Sequence, residues 1–198
     1  MNDLVDILVS LVAIAIAISV HEFGHAYAAH LLGDDTAKMN GRMTLNPVAH
    51  VDPIGLIMLI IFKFGWAKPV QVNPSNFKNY KLGNLIVSLS GVIANVITAI
   101  VCVFINKSVN MYAINLIAYM TIVYNLGFAA FNLLPIPPLD GWGVISTFIP
   151  YKYNEFVYKY ENMSYIILLI ALFTGVYRIL LNPIHDVLWN IVRFFARI

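Results

Sequence analysis

The sequence predicts an all-α membrane bundle forming a single domain over residues 1–198. Composition is the first reason. Of the 198 residues, 60% are hydrophobic and 11% are charged, against about 45–50% and about 25% in a soluble domain. The second reason is length. Four apolar runs, at about 4–32, 82–105, 111–134 and 164–181, are long enough to cross a bilayer as helices. The third is where the polar residues fall. Those inside the runs are few and gather at one depth, which marks a site rather than a solvated surface.

The net charge of +2 is too small to suggest a nucleic-acid partner. Cys102 is the only cysteine, so no intrachain disulfide can form, and its apolar surroundings suit a small buried filler. The N-terminus carries Asp3 and Asp6 without a basic stretch, unlike a signal peptide.

The first run covers roughly 43 Å as a helix. It is interrupted by His21-Glu22-Phe23-Gly24-His25, an H-E-x-x-H pattern. An i,i+4 spacing puts both imidazoles on one helix face, where two nitrogens can ligate one zinc ion. Glu22 beside them is placed to take a proton from water activated by the metal. His21 lies roughly 25 Å along the run, toward its C-terminal end. Lys38 and Arg42 follow this helix and no Lys or Arg precedes it. The positive-inside rule therefore puts the N-terminus outside and the metal near the cytoplasmic face.

Residues 33–48 are polar, with turn residues Gly33-Asp34-Asp35 and Asn40-Gly41. The apolar stretch 56–62 is too short to span. Its isoleucines and the bounding Pro53-Ile54-Gly55 and Phe64-Gly65-Trp66 predict a strand, β-hairpin or re-entrant loop, with its backbone covered by protein. Lys63, Lys68, Lys78 and Lys81 follow on the expected cytoplasmic side.

The second run holds Ser88, Ser90, Gly91 and Asn95. Asn95 is either interhelical glue or a polar lining of the active cleft. The third run, with Asn115, Asn125 and Asn132, ends in Pro135-Ile136-Pro137-Pro138-Leu139-Asp140-Gly141, where the prolines break the helix. If the runs alternate direction, Asp140 arrives at the depth of His21 and His25. Two His and one Asp, with one position open, make a catalytic zinc set; the Asp-Gly pair also suits a turn. A short helix is expected within 143–150. The fourth run is expected to break at Pro183, and residues 184–198 alternate as an amphipathic interfacial helix. His30 and His185 read as ordinary interface residues. His50 could line a water path, bind metal transiently or cap a turn.

At this point the chain resembles the site-2 protease family of intramembrane zinc metalloproteases. The residues that carry the resemblance are the H-E-x-x-H motif and Phe131-Asn132-Leu133-Leu134-Pro135-Ile136-Pro137-Pro138-Leu139-Asp140-Gly141. Arg42-Met43-Thr44-Leu45-Asn46-Pro47, His50, Asp52-Pro53-Ile54-Gly55 and Phe64-Gly65-Trp66-Ala67-Lys68-Pro69-Val70 look like its compact prokaryotic branch. The resemblance implies one catalytic Zn2+ held by His21, His25 and Asp140, with Glu22 as general base. It implies an oxyanion-stabilising role for Asn132. Asn95, in Gly91-x-x-x-Asn95, matches a polar position of the second core helix, although Val92 stands where the family usually has proline.

Some larger members carry a PDZ domain between the second and third core helices or a CBS domain at the C-terminus; neither is expected here. Substrate selection would then rest on the membrane core or on an accessory protein. The resemblance implies cleavage of a single-span membrane protein or peptide, in a multi-pass protein of the cell membrane, and leaves the oligomeric state open. Other membrane metallopeptidases with H-E-x-x-H usually take a downstream Glu as third ligand, and Glu155 and Glu161 do not fit that pattern. A metal-binding scaffold or transporter is the non-proteolytic alternative. A scaffold would not need Glu22, and a transporter would carry more polar residues along its helices.

Overall fold

The computed structural model describes residues 3–62 and 66–197. Eight α-helices follow in order among them: α1 (Asp3–Leu31), α2 (Thr36–Met39), α3 (Pro53–Phe62), α4 (Tyr80–Ser108), α5 (Tyr112–Asn132), α6 (Asp140–Ser146), α7 (Asn154–Thr174) and α8 (Tyr177–Ala196). Among the described residues β pairing is confined to one isolated antiparallel bridge, Val51 with Ala67. Lys63, Phe64 and Gly65, part of the expected basic cluster and of the compact-branch resemblance, lie outside the described residues.

Among the described residues, four helical stretches are long and apolar enough to cross a membrane: Leu4–Leu31, Tyr80–Ser108, Tyr112–Asn132 and Tyr151–Thr174. Their packing is inside-out relative to a soluble bundle. On α4 the buried face carries Gly83, Ser88, Gly91, Asn95 and Ala99, while Ile86, Ile93, Ile97, Val101 and Phe104 are exposed. Water would penalise that apolar stripe, and lipid does not. The chain is a multi-pass membrane protein.

Helices α1, α4 and α5 pack against one another as the central bundle. Small residues at the contacts let their backbones approach closely. A Cβ built on Gly24 would stand 2.8 Å from the Ser90 carbonyl oxygen, so α1 and α4 touch at the H-E-x-x-H turn itself. Helix α6 packs on α4, and α8 lies against α4 and α5.

Three expectations are corrected. The stretch 56–62 is helical, within α3, and forms neither a strand nor a hairpin. Asp52 caps it, its Oδ1 accepting from the Ile54 and Gly55 amides at 2.9 and 2.8 Å, with Pro53 at the first helical position. A helix also satisfies its own backbone hydrogen bonds, which a strand without a partner cannot. The Val51–Ala67 bridge and the Lys68 amide donating to the His50 carbonyl at 2.8 Å close this excursion near its starting point.

The fourth span begins earlier than 164 and takes in most of the polar, aromatic stretch after Tyr151. It ends at Gly175, whose φ of 75° is left-handed and stops α7. Pro183 lies inside α8 and does not break it. The amphipathic helix α8 therefore begins before residue 184. Leu188 and Val192 on it are buried with α4 and α5 residues such as Ala99 and Ile122, while Val187, Ile191 and Phe194 remain exposed.

Candidate metal centre

The i,i+4 spacing on α1 brings the Nε2 atoms of His21 and His25 to 3.0 Å from each other. Asp140 opens α6 and reaches the same point. Its Oδ2 is 3.1 Å from His21 Nε2 and its Oδ1 is 3.3 Å from His25 Nε2. Ligand atoms of all three residues lie within 4.8 Å of one another, and both histidines are buried.

The ring nitrogens facing away are also held. His25 Nδ1 is 2.7 Å from the Val87 carbonyl oxygen. A carbonyl only accepts, so Nδ1 carries the proton and Nε2 presents its lone pair to the site. His21 Nδ1 is 2.7 Å from Asn95 Oδ1. Asp140 Oδ2 is buried and has no hydrogen-bond partner of acceptable geometry. Two imidazole lone pairs and a buried carboxylate turned on one another repel unless a cation lies among them. The donor set of two His nitrogens and one carboxylate suits Zn2+ with an open position.

Two features of the packing deliver these groups. Gly91 lies directly under the rings. A Cβ there would be 2.6 Å from His25 Nε2 and 2.7 Å from His21 Nδ1, so a larger residue on α4 would displace them. After α5 the proline-rich loop is tied down by its own turns, Leu139 N to Ile136 O at 2.9 Å and Trp142 N to Leu139 O at 3.0 Å. Tyr160 of α7 donates to the Pro135 carbonyl at 3.0 Å. Asp140 thus reaches the histidines from the start of α6 rather than from a reverse turn.

Glu22 is buried on the same helix turn and is held by a different part of the chain. The Val70 amide donates to its Oε2 at 2.8 Å. The segment carrying Val70 is secured by Arg42, whose Nη2 donates to the Lys68 carbonyl at 2.6 Å. It is also secured by Asp34, which accepts from the Asn73 amide and the Asn76 side chain, both at 2.7 Å. The motif stretches around Arg42 and Lys68, far apart in sequence, are thereby tied to each other.

A cavity of about 750 Å³ opens over these residues. Its polar end holds His21, Glu22, His25, Asn132 and Asp140, and its walls include Phe128, Phe131, Tyr165 and Leu169. Asn132 lies at the end of α5, with its Nδ2 donating to the Phe128 carbonyl at 3.0 Å. Asn95 stands behind His21 rather than in the cavity lining, so it joins α4 to that imidazole. His50 is fully buried away from the lining. Its Nε2 lies 2.8 Å from the Thr44 carbonyl, which puts it in the loop that carries Arg42. Val70, Val87 and Asn125 were not legible as site residues. Val70 and Val87 act through backbone groups, which no side-chain pattern reveals, and Asn125 was visible only as one of several asparagines on its run.

Fold and site together define a class: a metal-dependent hydrolase built into a membrane helix bundle. The chain is 35% identical over 173 residues to "Putative zinc metalloprotease YwhC" of Bacillus subtilis, covering 82% of this chain and 79% of the relative. It is 29% identical over 171 residues to "Putative zinc metalloprotease Rip2" of Mycolicibacterium smegmatis, covering 80% of this chain and 64% of the relative. The chain thus spans less than two thirds of that longer protein. No family model and no solved structure matches it. The chain belongs to the site-2 protease family. It is a zinc metalloprotease, and the scaffold or transporter alternative falls away.

Proposed function

We propose that the protein hydrolyses a peptide bond of a single-span membrane protein, within or beside the bilayer and near its cytoplasmic face. One zinc ion would be held by His21, His25 and Asp140. The observation that carries this is the convergence of both Nε2 atoms and the Asp140 carboxylate at the polar end of a cavity with apolar and aromatic walls. Such walls suit an apolar substrate segment. The orientation rests on Lys38, Arg42, Lys68, Lys78 and Lys81 lying on the side where α1 ends.

When bound, zinc lowers the pKa of water toward about 7 and polarises the scissile carbonyl. The chain's own residues do the rest. Glu22 takes the proton and returns it to the leaving amine. The Val70 amide fixes the carboxylate oxygen that is not needed for that transfer. Asn132 lines the cavity with a side-chain amide that can donate to the developing oxyanion through its second N–H. The apolar walls exclude bulk water and strengthen each of these polar contacts. A substrate helix must unwind locally, because its carbonyls are hidden in backbone hydrogen bonds.

The test is a purified Glu22→Gln protein beside wild type, in micelles, offered a single-span substrate. Cleavage should fall at least about 100-fold with zinc content unchanged. Equal cleavage by both would overturn the role of Glu22. An Asp140→Ala variant should lose zinc, and full zinc content there would overturn the third ligand. Cleavage that requires an added second protein would place substrate selection outside this chain.

A further inference from the structure

We propose that Asn125 is a positioning residue for zinc binding, acting through Asn95 to fix the tautomer of His21. The inference rests on the metal-site reading above. The geometry is a directional chain of hydrogen bonds across three helices. Asn125 Nδ2 on α5 donates to the Thr121 carbonyl at 2.8 Å. That carbonyl only accepts, so Asn125 must turn its Oδ1 the other way. Its Oδ1 accepts from Asn95 Nδ2 on α4 at 2.8 Å, and the second Nδ2 hydrogen of Asn95 goes to the Ala17 carbonyl on α1 at 2.9 Å. With both of its N–H groups committed, Asn95 presents Oδ1 to His21 Nδ1 at 2.7 Å. His21 must then carry its proton on Nδ1, which leaves the Nε2 lone pair free toward His25 and Asp140.

The polarity of the chain is set at its ends by two backbone carbonyls, which cannot reverse. A flipped Asn95 would offer N–H to His21 Nδ1, place the imidazole proton on Nε2 and block ligation. The flip would also set the Asn95 oxygen against both Ala17 O and Asn125 Oδ1. Ala17 opposes it with one hydrogen bond and Asn125 adds the second. Asn95 and Asn125 are both fully buried, so water does not replace the missing partner. His25 reaches the same tautomer in one step from the Val87 carbonyl. His21 has no main-chain acceptor at its Nδ1, and the two asparagines supply one.

The experiment uses the full chain in micelles, with histidine-selective 15N labelling of the metal-free protein at a pH where its histidines are neutral, and His21 assigned by its absence in His21→Ala. Wild type should show His21 as the Nδ1–H tautomer; the Nε2–H tautomer would overturn the proposal without any need for an Asn125 variant. Asn125→Leu should give a mixture of tautomers and lower zinc affinity, measured by chelator competition, by roughly tenfold, the low end for partners behind a ligand. The visible spectrum of the cobalt-loaded variant should change as well. Ile122→Ala, a packing change on the same helix, should leave zinc affinity within about twofold and the tautomer unchanged. Wild-type affinity in Asn125→Leu, or an equal loss in Ile122→Ala, would overturn the role of Asn125. Failure of wild type to bind zinc would instead overturn the metal site itself.

Discussion

His21, Glu22 and His25 share one turn of α1, yet different regions hold them. The imidazoles are fixed by α4: Asn95 Oδ1 for one ring and the Val87 carbonyl for the other, both at 2.7 Å. Glu22 is fixed by a loop, through the Val70 amide at 2.8 Å. The helices around the rings are apolar outside and polar within, and their mutual positions are set by close packing. The loop segment is set by hydrogen bonds from Asp34 and Arg42 and by its backbone pairing with His50 and Val51. Metal affinity should therefore respond to the bundle and turnover to the loop.

The sharpest way to break this division is at Gly91. In Gly91→Ala the new Cβ would stand 2.6 Å from His25 Nε2. Zinc affinity should drop by more than about tenfold and cleavage should fall with it, as read by metal analysis and a peptide-cleavage assay. Undiminished zinc would mean the rings tolerate displacement and the bundle does not set affinity.

The second variant acts on the loop. Val70→Pro removes the N–H that holds Glu22. We expect kcat to fall roughly tenfold, from lost positioning of the base, at constant zinc content. Loss of zinc in this variant would show that the loop also shapes the metal site.

Asp34 sits further back. Burial acts to raise its carboxyl, and hydrogen bonds from Thr36, Asn73 and Asn76 outweigh it, so it titrates below the ordinary range. A folded-state pKa below the unfolded one stabilises the protein fully above about pH 4. That contribution is lost as pH falls through the folded value. Asp34→Asn should lower stability at neutral pH by about 1–3 kcal/mol and flatten the acid-side decline in thermal unfolding. An unchanged decline would assign the acid sensitivity to other carboxylates. Arg42→Ala should have the smallest effect. It loses the contacts to the Lys68 and Pro69 carbonyls, and turnover should fall about twofold to threefold, in keeping with partly exposed hydrogen bonds, with zinc unaffected.

The sequence was most informative where local geometry decides. Four apolar runs indicated the spans, and the structure has four helices to match. It was least informative at boundaries and in the loop. The short, isoleucine-rich residues 56–62 predict a strand, a hairpin or a re-entrant loop, whereas Asp52-Pro53 carries a helix-start signal that the apolar composition obscures. Pro183 looked like the natural break, yet Gly175 takes the left-handed turn that ends α7. Pro183 is instead carried inside α8, past the first turn where proline is ordinarily tolerated. His50 carries no local signal of its role, and the fold buries it against Thr44.

By itself the sequence determined that two imidazoles and a carboxylate occupy one helix turn inside an apolar segment, because an i,i+4 spacing is fixed by the pitch of the helix. It also placed Asp140 after a proline-rich break at a matching depth. Only the tertiary structure decided that Asp140 meets the two Nε2 atoms, that Asn95 and Val87 set which nitrogens face them, and that Val70 holds Glu22. Those contacts join residues on different helices and loops, and several use backbone groups that every residue type possesses. Their geometry depends on how the helices pack, which no local pattern of side chains encodes.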